Sequence, residues 1–263
     1  MKKTLIALTL AFCAAAVFAQ NADSTLPQLG DCVQIEVTRK SGTEKRTVYV
    51  ESITICNEKG QPVSCKARGL SVTLEYDARG NQTHYADSFG EEWIAVYNNK
   101  NQMTRRITYT NLDDSERAPK VTTYEYDSKG NLVHSLNSEE EIWNEHDDDG
   151  NCIHSKALTP GSTTPRYEAW NRYDQYGNLR QYTIQLGSAD VYKEFYDYNQ
   201  SGDVIRTYEV SRNTLPTICE YDANHNCSYR KVCFESQDEF YETWFENIYR
   251  EDGTLQYIIS YAE

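Results

Sequence analysis

The chain has 263 residues, with 26 Lys and Arg against 40 Asp and Glu, so its formal net charge is −14. A field of this sign repels nucleic acid and anionic membrane surfaces, and it therefore excludes nucleic acid as a partner. The length is enough for one large or two small domains.

The first segment predicts export. Residues 1–19 read MKKTLIALTLAFCAAAVFA, in which Lys2 and Lys3 precede an apolar stretch that is too short to span a bilayer. Small residues before Gln20 predict signal-peptide cleavage there. A lipoprotein site at Cys13 is the rival interpretation, and Phe12 before it is a poor fit. No later stretch predicts a transmembrane segment, so the expected location is the periplasm, the outer surface or the medium.

Cysteine usage is consistent with an exported chain but predicts no pairing. Seven cysteines remain after the signal peptide, so at least one thiol has no intramolecular disulfide partner. The connectivity among them stays open. No pair has the CxxC spacing of zinc or thioredoxin-like sites.

A short phrase recurs along the rest of the chain, 20 to 29 residues apart. Such a period indicates a repeat architecture. A weaker tenth copy, TRKSGT, occupies 38–43. We therefore predict a leader at 20–30 and a single repeat domain at 31–263. The nine main copies are CNEKGQ (56–61), YDARGN (76–81), YNNKNQ (97–102), YDSKGN (126–131), HDDDGN (146–151), YDQYGN (173–178), YNQSGD (198–203), YDANHN (221–226) and YREDGT (249–254).

Each phrase predicts a β-hairpin turn. A three-residue hairpin loop combines a type I turn with one left-handed residue, where Gly is favoured because it has no Cβ. Asn and His are among the residues that tolerate this conformation, so we expect positive φ at Asn101 and His225 as well. The predicted left-handed positions are Gly60, Gly80, Asn101, Gly130, Gly150, Gly177, Gly202, His225 and Gly253.

The register of the turn predicts two faces. If Asp127 opposes Asn131, then Tyr126 opposes Leu132 on a packed face while Glu125 points to water. Nine or ten such hairpins predict an all-β fold, an antiparallel meander of about twenty strands. A meander of this size is expected to form a curled sheet, a spiral or a wide barrel.

The stretch from Tyr124 to Leu132, and similar stretches at 173–179 and 196–204, resemble the YD repeat of RHS-type proteins. The resemblance covers most of residues 38–263. It implies hairpin repeats that coil into a sheet or shell, a bacterial surface location and a role in carbohydrate or ligand binding. Large members of the family encapsulate toxins. This chain is short and has no Asp-Pro-x-Gly-Leu self-cleavage core, so we expect a free-standing exported member without a toxin domain.

Candidate site residues vary around the repeat. His84, His134 and His154 share one repeat position, which reads either as a polar row lining a groove or as a polar rim. Trp143 and Trp170, like Phe195, lie three residues before their anchor on the charged face. They read either as sugar-stacking rings or as cover for a neighbouring loop. The four candidate ligand-binding residues are His84, His134, Trp143 and Trp170.

No constellation of catalytic or metal-binding residues accompanies them. The HDDDGN stretch at 146–151 resembles a calcium loop, but Lys156 occupies its closing position, and the repeat explains it as a turn. We predict no metal, no cofactor and no enzymatic activity, with a glycosidase as the minor alternative. The predicted function is an exported binding module for a glycan or another envelope component. The alternative is a structural or protein-interaction element of a surface or secretion assembly.

Overall fold

The computed structural model describes residues 26–39, 42–110, 119–187, 190–209, 216–233 and 240–263. The predicted signal peptide at 1–19 and the start of the leader lie outside these residues. The described residues form nineteen strands and no helix, which confirms the all-β, antiparallel expectation. They are β1 (Cys32–Arg39), β2 (Gly42–Cys56), β3 (Pro62–Ala67), β4 (Leu70–Tyr76), β5 (Gln82–Asp87), β6 (Glu91–Tyr97), β7 (Met103–Thr110), β8 (Lys120–Tyr126), β9 (Leu132–Leu136), β10 (Glu141–His146), β11 (Cys152–Leu158), β12 (Pro165–Tyr173), β13 (Leu179–Leu186), β14 (Asp190–Tyr198), β15 (Val204–Glu209), β16 (Thr217–Tyr221), β17 (Cys227–Cys233), β18 (Phe240–Tyr249) and β19 (Leu255–Ala262).

The described residues divide into two compact units. Unit 1 contains 75–197 and 207–209 within the described ranges, and unit 2 contains 26–74, 198–206 and 216–263 within them. In unit 1, strands β5 to β14 pair in chain order, each antiparallel to the next. In unit 2, β16 to β19 pair in the same way, β19 continues onto β2, and β2 pairs with both β1 and β3.

The turn between β8 and β9 shows how the repeated phrase folds. The backbone amide of Gly130 donates to the carbonyl of Asp127, and the amide of Asp127 donates to the carbonyl of Asn131. The Asp127 carboxylate accepts two further hydrogen bonds from Asn131, at 2.8 and 2.9 Å. Asn101 and His225, the two non-glycine residues at the left-handed position, have φ of 61° and 63°. The left-handed conformation predicted for them is therefore present.

The two faces follow the predicted register. Tyr126 opposes Leu132 and is half-buried, whereas Glu125 is exposed. We call the face that carries Tyr126 and its equivalents the tyrosine face, and the other the opposite face. The tyrosine hydroxyls have a role that the sequence did not reveal. Tyr126 donates its hydroxyl to the carbonyl of Met103, the residue across the preceding turn. Tyr97, Tyr173 and Tyr221 donate in the same way to the carbonyls of Gln82, Cys152 and Val204.

Unit 2 has a compact apolar cluster where β1 and the first half of β2 pack on β18 and β19. Its buried members are Ile35, Val48, Val50, Trp244, Ile259 and Tyr261. The leader contributes Leu26 at the edge of this cluster. Burial of these side chains stabilises the hairpin of β1 and β2 against the sheet, at about 1.5–3 kcal/mol for each large apolar side chain.

The seven cysteines in the described residues form no disulfide. The same residues contain no helical segment with the length and hydropathy needed to cross a lipid bilayer.

Candidate functional site

The four candidate ligand-binding residues all lie on strands of unit 1. His84 is on β5, His134 on β9, Trp143 on β10 and Trp170 on β12. The structure brings His134 and Trp143 together, and it joins Trp170 to His154 rather than to another of the four. We call a rung each pair of rings from directly opposed residues of adjacent strands on the opposite face, one of the two being a tryptophan.

The first rung consists of His134 and Trp143. Their ring centroids are 4.0 Å apart and their planes differ by 22°. Glu141, two residues before Trp143 on the same face, holds both rings: its Oε1 lies 3.1 Å from His134 Nε2 and accepts a 3.2 Å hydrogen bond from the indole Nε1. Glu125 lies 3.4 Å from the other imidazole nitrogen. His134 is 9% exposed and Trp143 is 48% exposed, so the imidazole supports one side of an indole that faces solvent.

The second rung pairs His154 with Trp170 in the same register. The ring centroids are 5.4 Å apart and the planes differ by 15°. Glu168, two residues before Trp170, lies 3.6 Å from His154 Nε2, and Glu145 lies 3.6 Å from Nδ1. Trp170 is 37% exposed. The contacts in this rung are longer than those in the first, and the composition is the same.

His84 occupies the same repeat position without a tryptophan. It lies 2.9 Å from Glu92 and 3.7 Å from Glu75, and the residue opposite it on β6 is Ile94. His84 therefore shares the carboxylate environment of the other two histidines but belongs to no rung.

A β-bulge explains why the histidines share a face with the tryptophans. Strict alternation from Leu132 would place His134 on the tyrosine face. The pairing shifts between Glu125 and Tyr126, so that Val133 has no partner on β8 and His134 opposes Glu125. A bulge inserts one extra residue and thereby reverses the direction of the side chains that follow. The same shift places His154 opposite Glu145.

The HDDDGN stretch is a turn whose carboxylate is already engaged. Asp147 accepts hydrogen bonds from the Asn151 amide and side chain at 2.8 and 2.9 Å, and these bonds hold its pKa below the usual range. Glu145 faces His154 instead of the turn. Within the described ranges, no cluster of three or more His, Cys, Asp or Glu side chains is arranged to hold a metal ion.

Unit 2 contains a cavity of about 310 Å³. Its polar lining includes Glu51, Arg68, Arg230 and the hydroxyls of Ser52 and Ser260, which are 2.5 Å apart. None of the four candidate residues lines it. The sequence pattern singled out neither these residues nor the rung carboxylates Glu141 and Glu168.

No family model matches the chain, and no curated protein matches it. A chain of the TcdB2-TccC3-Cdc42 structure matches 86% of this chain and 15% of its own length, at 11% identity and a TM-score of 0.39. A Tc holotoxin pore of Photorhabdus luminescens matches 82% of this chain and 15% of its own length, at 12% identity and a TM-score of 0.30. A porin-like protein from Bacteroides uniformis matches 81% of this chain and 98% of its own length, at 10% identity and a TM-score of 0.46. This chain thus spans 15% of the length of the toxin chains, and these similarities concern the fold alone.

Proposed function

We propose that the chain is an exported, non-enzymatic protein of the YD-repeat type that binds a glycan or another component of the bacterial envelope. The location at the surface, in the periplasm or in the medium is part of this proposal and is supported by the signal-peptide pattern of residues 1–19. The curled sheet, spiral or wide barrel expected for such repeats also belongs to it.

The observation that carries the proposal is the pair of exposed indoles on the opposite face of unit 1. Trp143 is 48% exposed although it is held by a stacked imidazole and a carboxylate. A ring that is already fixed loses little conformational entropy when a ligand stacks on it. Large amphipathic rings of this kind are enriched among the residues that dominate binding energy. Trp170, stacked on His154, offers a second exposed indole in the same unit.

The test is binding of the mature chain to an array of envelope glycans and to purified envelope fractions. We expect Trp143→Ala to weaken binding by about 2 kcal/mol, the usual cost of truncating a dominant interface tryptophan. Trp170→Ala should have an effect of the same sign. Tyr176→Ala is the matched control, because Tyr176 is 71% exposed but lies in the turn between β12 and β13. The proposal fails if nothing on the array or in the fractions binds, or if both tryptophan variants bind like the wild type.

A further inference from the structure

In a third rung, which belongs to unit 2, an arginine side chain of the same protein lies against the tryptophan ring. Tyr229 on β17 opposes Trp244 on β18, with ring centroids 6.0 Å apart and ring planes tilted by 43°. Glu242 stands two residues before this tryptophan and accepts a hydrogen bond from the Tyr229 hydroxyl. The rung therefore has the same three parts as those of unit 1: a ring on one strand, a tryptophan on the next, and a glutamate two residues before the tryptophan.

This arginine is Arg46. Its Nη1 donates to Glu242 Oε2 at 2.9 Å, and its guanidinium carbon lies 5.7 Å from the centroid of the Trp244 ring. Arg46 lies on β2, an extended strand that packs over the rung together with β1. Trp244 is consequently only 3% exposed and Glu242 only 5%. A guanidinium suits this position because it stacks on an aromatic face while its N–H groups bind a carboxylate.

Exposure to solvent divides the four tryptophans of the chain into two pairs. Of the four, Trp93 and Trp244 are buried, and each has an arginine near its ring: Arg106 lies 5.9 Å from the centroid of Trp93. Trp143 and Trp170 are the exposed pair. Both belong to rungs whose glutamate is in place and whose indole faces solvent.

We infer that the two exposed rungs of unit 1 are docking cradles for arginine side chains on an extended segment of a partner polypeptide. The inference rests on the proposed function and narrows its ligand to a protein. Charge supports it, because the carboxylates around the rungs are Glu125, Glu141, Glu145 and Glu168 and the whole chain carries −14. A basic segment is attracted to such a surface.

The distance between the two rungs predicts the spacing of the arginines in the partner segment. Trp143 opposes Lys156, which opposes Glu168, and Trp170 lies two residues further along β12. Two strand separations and a two-residue offset place the tryptophans about 12 Å apart, close to the span of about 13 Å for four extended residues. The partner segment should therefore carry arginines four residues apart. Lys156 lies between the cradles and would compete with the incoming cations.

The probe is a labelled synthetic peptide with the chain's own sequence at 42–50, GTEKRTVYV, in which Val50→Arg places a second arginine four residues after Arg46. The comparison peptide has glutamine at both arginine positions. Fluorescence anisotropy with the purified mature chain, at low ionic strength, should show about tenfold tighter binding of the arginine peptide, the combined effect of two exposed cation–π contacts.

Substitutions in the protein test whether the arginine peptide binds at the two rungs of unit 1. Glu141→Gln combined with Glu168→Gln should weaken the arginine peptide by about fivefold while changing the glutamine peptide little. Lys156→Gln should strengthen it by about twofold, because a competing cation is removed. Glu139→Gln is the matched control, since Glu139 is an exposed carboxylate in the preceding turn that pairs with Lys120. Thermal unfolding checks that each variant folds.

Each outcome separates the inference from the proposed function. Equal binding of the two peptides, or no effect of the Glu141 and Glu168 changes, overturns the arginine cradles. If a glycan binds in a manner that requires Trp143 while the arginine peptide does not bind, the cradles are wrong and the proposed function stands. If neither the peptide nor any envelope component binds, both are wrong.

Discussion

Gly130 has φ of 94° at the left-handed corner of its turn, where a Cβ is unfavourable. We expect Gly130→Val to lower the free energy of unfolding by about 1–2 kcal/mol, the cost of forcing an L side chain into this conformation. Gly130→Asn should cost less, because Asn101 occupies the equivalent corner with φ of 61°. Urea unfolding of the three proteins measures the difference. Equal stability of the valine and asparagine variants would contradict the turn assignment.

The turn residues could be predicted from the sequence alone, whereas the face on which His134 lies could not. Turn chemistry is local: Asp127, Gly130 and Asn131 are enough to predict the corner and its hydrogen bonds. The face of His134 depends on the bulge at Val133, which reverses the side-chain direction that strict alternation from Leu132 would give. The sequence predicted a polar repeat position for His134 and the charged face for Trp143, and the stacking between the two rings required the register.

At the scale of elements, the filled rung predicts a large effect of Arg46. Glu242 is 5% exposed, and Arg46→Gln would remove the guanidinium that lies 2.9 Å from its carboxylate. We expect the free energy of unfolding to fall by about 3 kcal/mol, because the attraction that offsets the cost of burying the carboxylate is lost.

Lys45→Gln is the matched control for this prediction. Lys45 neighbours Arg46 on β2 but is exposed, and it lies 3.6 Å from the exposed Glu36. Exposed pairs contribute about 0–1 kcal/mol, so the control should unfold nearly like the wild type. Chemical denaturation compares the two variants, and similar losses in both would show that the Arg46–Glu242 pair is not a stabilising contact.

Pairing between neighbouring hairpins follows from the repeat, whereas the packing of β1 and β2 over Trp244 does not. Arg46 and Glu242 are separated by 196 residues, and no local pattern connects them. Once the structure is known, one sequence pattern is seen to be common to the three rungs. Glu-x-Trp occurs at 141–143, 168–170 and 242–244, although Glu91-x-Trp93 shows the same letters on the tyrosine face. Only the register distinguishes the rungs from that fourth occurrence.

For the whole molecule, the repeated turns predict a shared acid sensitivity. Hydrogen bonds from the asparagine four residues later hold the pKa values of Asp77, Asp127, Asp147 and Asp174 below the usual range. A lowered pKa in the folded state means that the stabilisation is complete above the unfolded value, about 4, and is lost as the pH falls through the lower folded value. The melting temperature should therefore decrease below about pH 4.

Asparagine at these four positions should reduce the acid-induced decrease, because the amide oxygen still accepts the turn hydrogen bonds and does not titrate. Asn57, Asn98 and Asn199 already make equivalent bonds in other copies of the turn. The measurement is the melting temperature at neutral pH and at pH about 3 for the wild type and the fourfold variant. Asp148→Asn, at an exposed turn position, is the control. An equal decrease in wild type and fourfold variant would show that other groups govern acid unfolding.

The pairing of β19 with β2 has a consequence for the time course of folding. Hairpins of unit 1 join neighbouring segments, but Ser52 and Ser260, hydrogen-bonded across β2 and β19, are 208 residues apart. The entropic cost of closing so long a loop grows only slowly with its length, yet the closure has to wait until β19 has been synthesised. We therefore expect Trp244 and Val48 to stay accessible to proteases and to other unfinished chains until β19 has emerged.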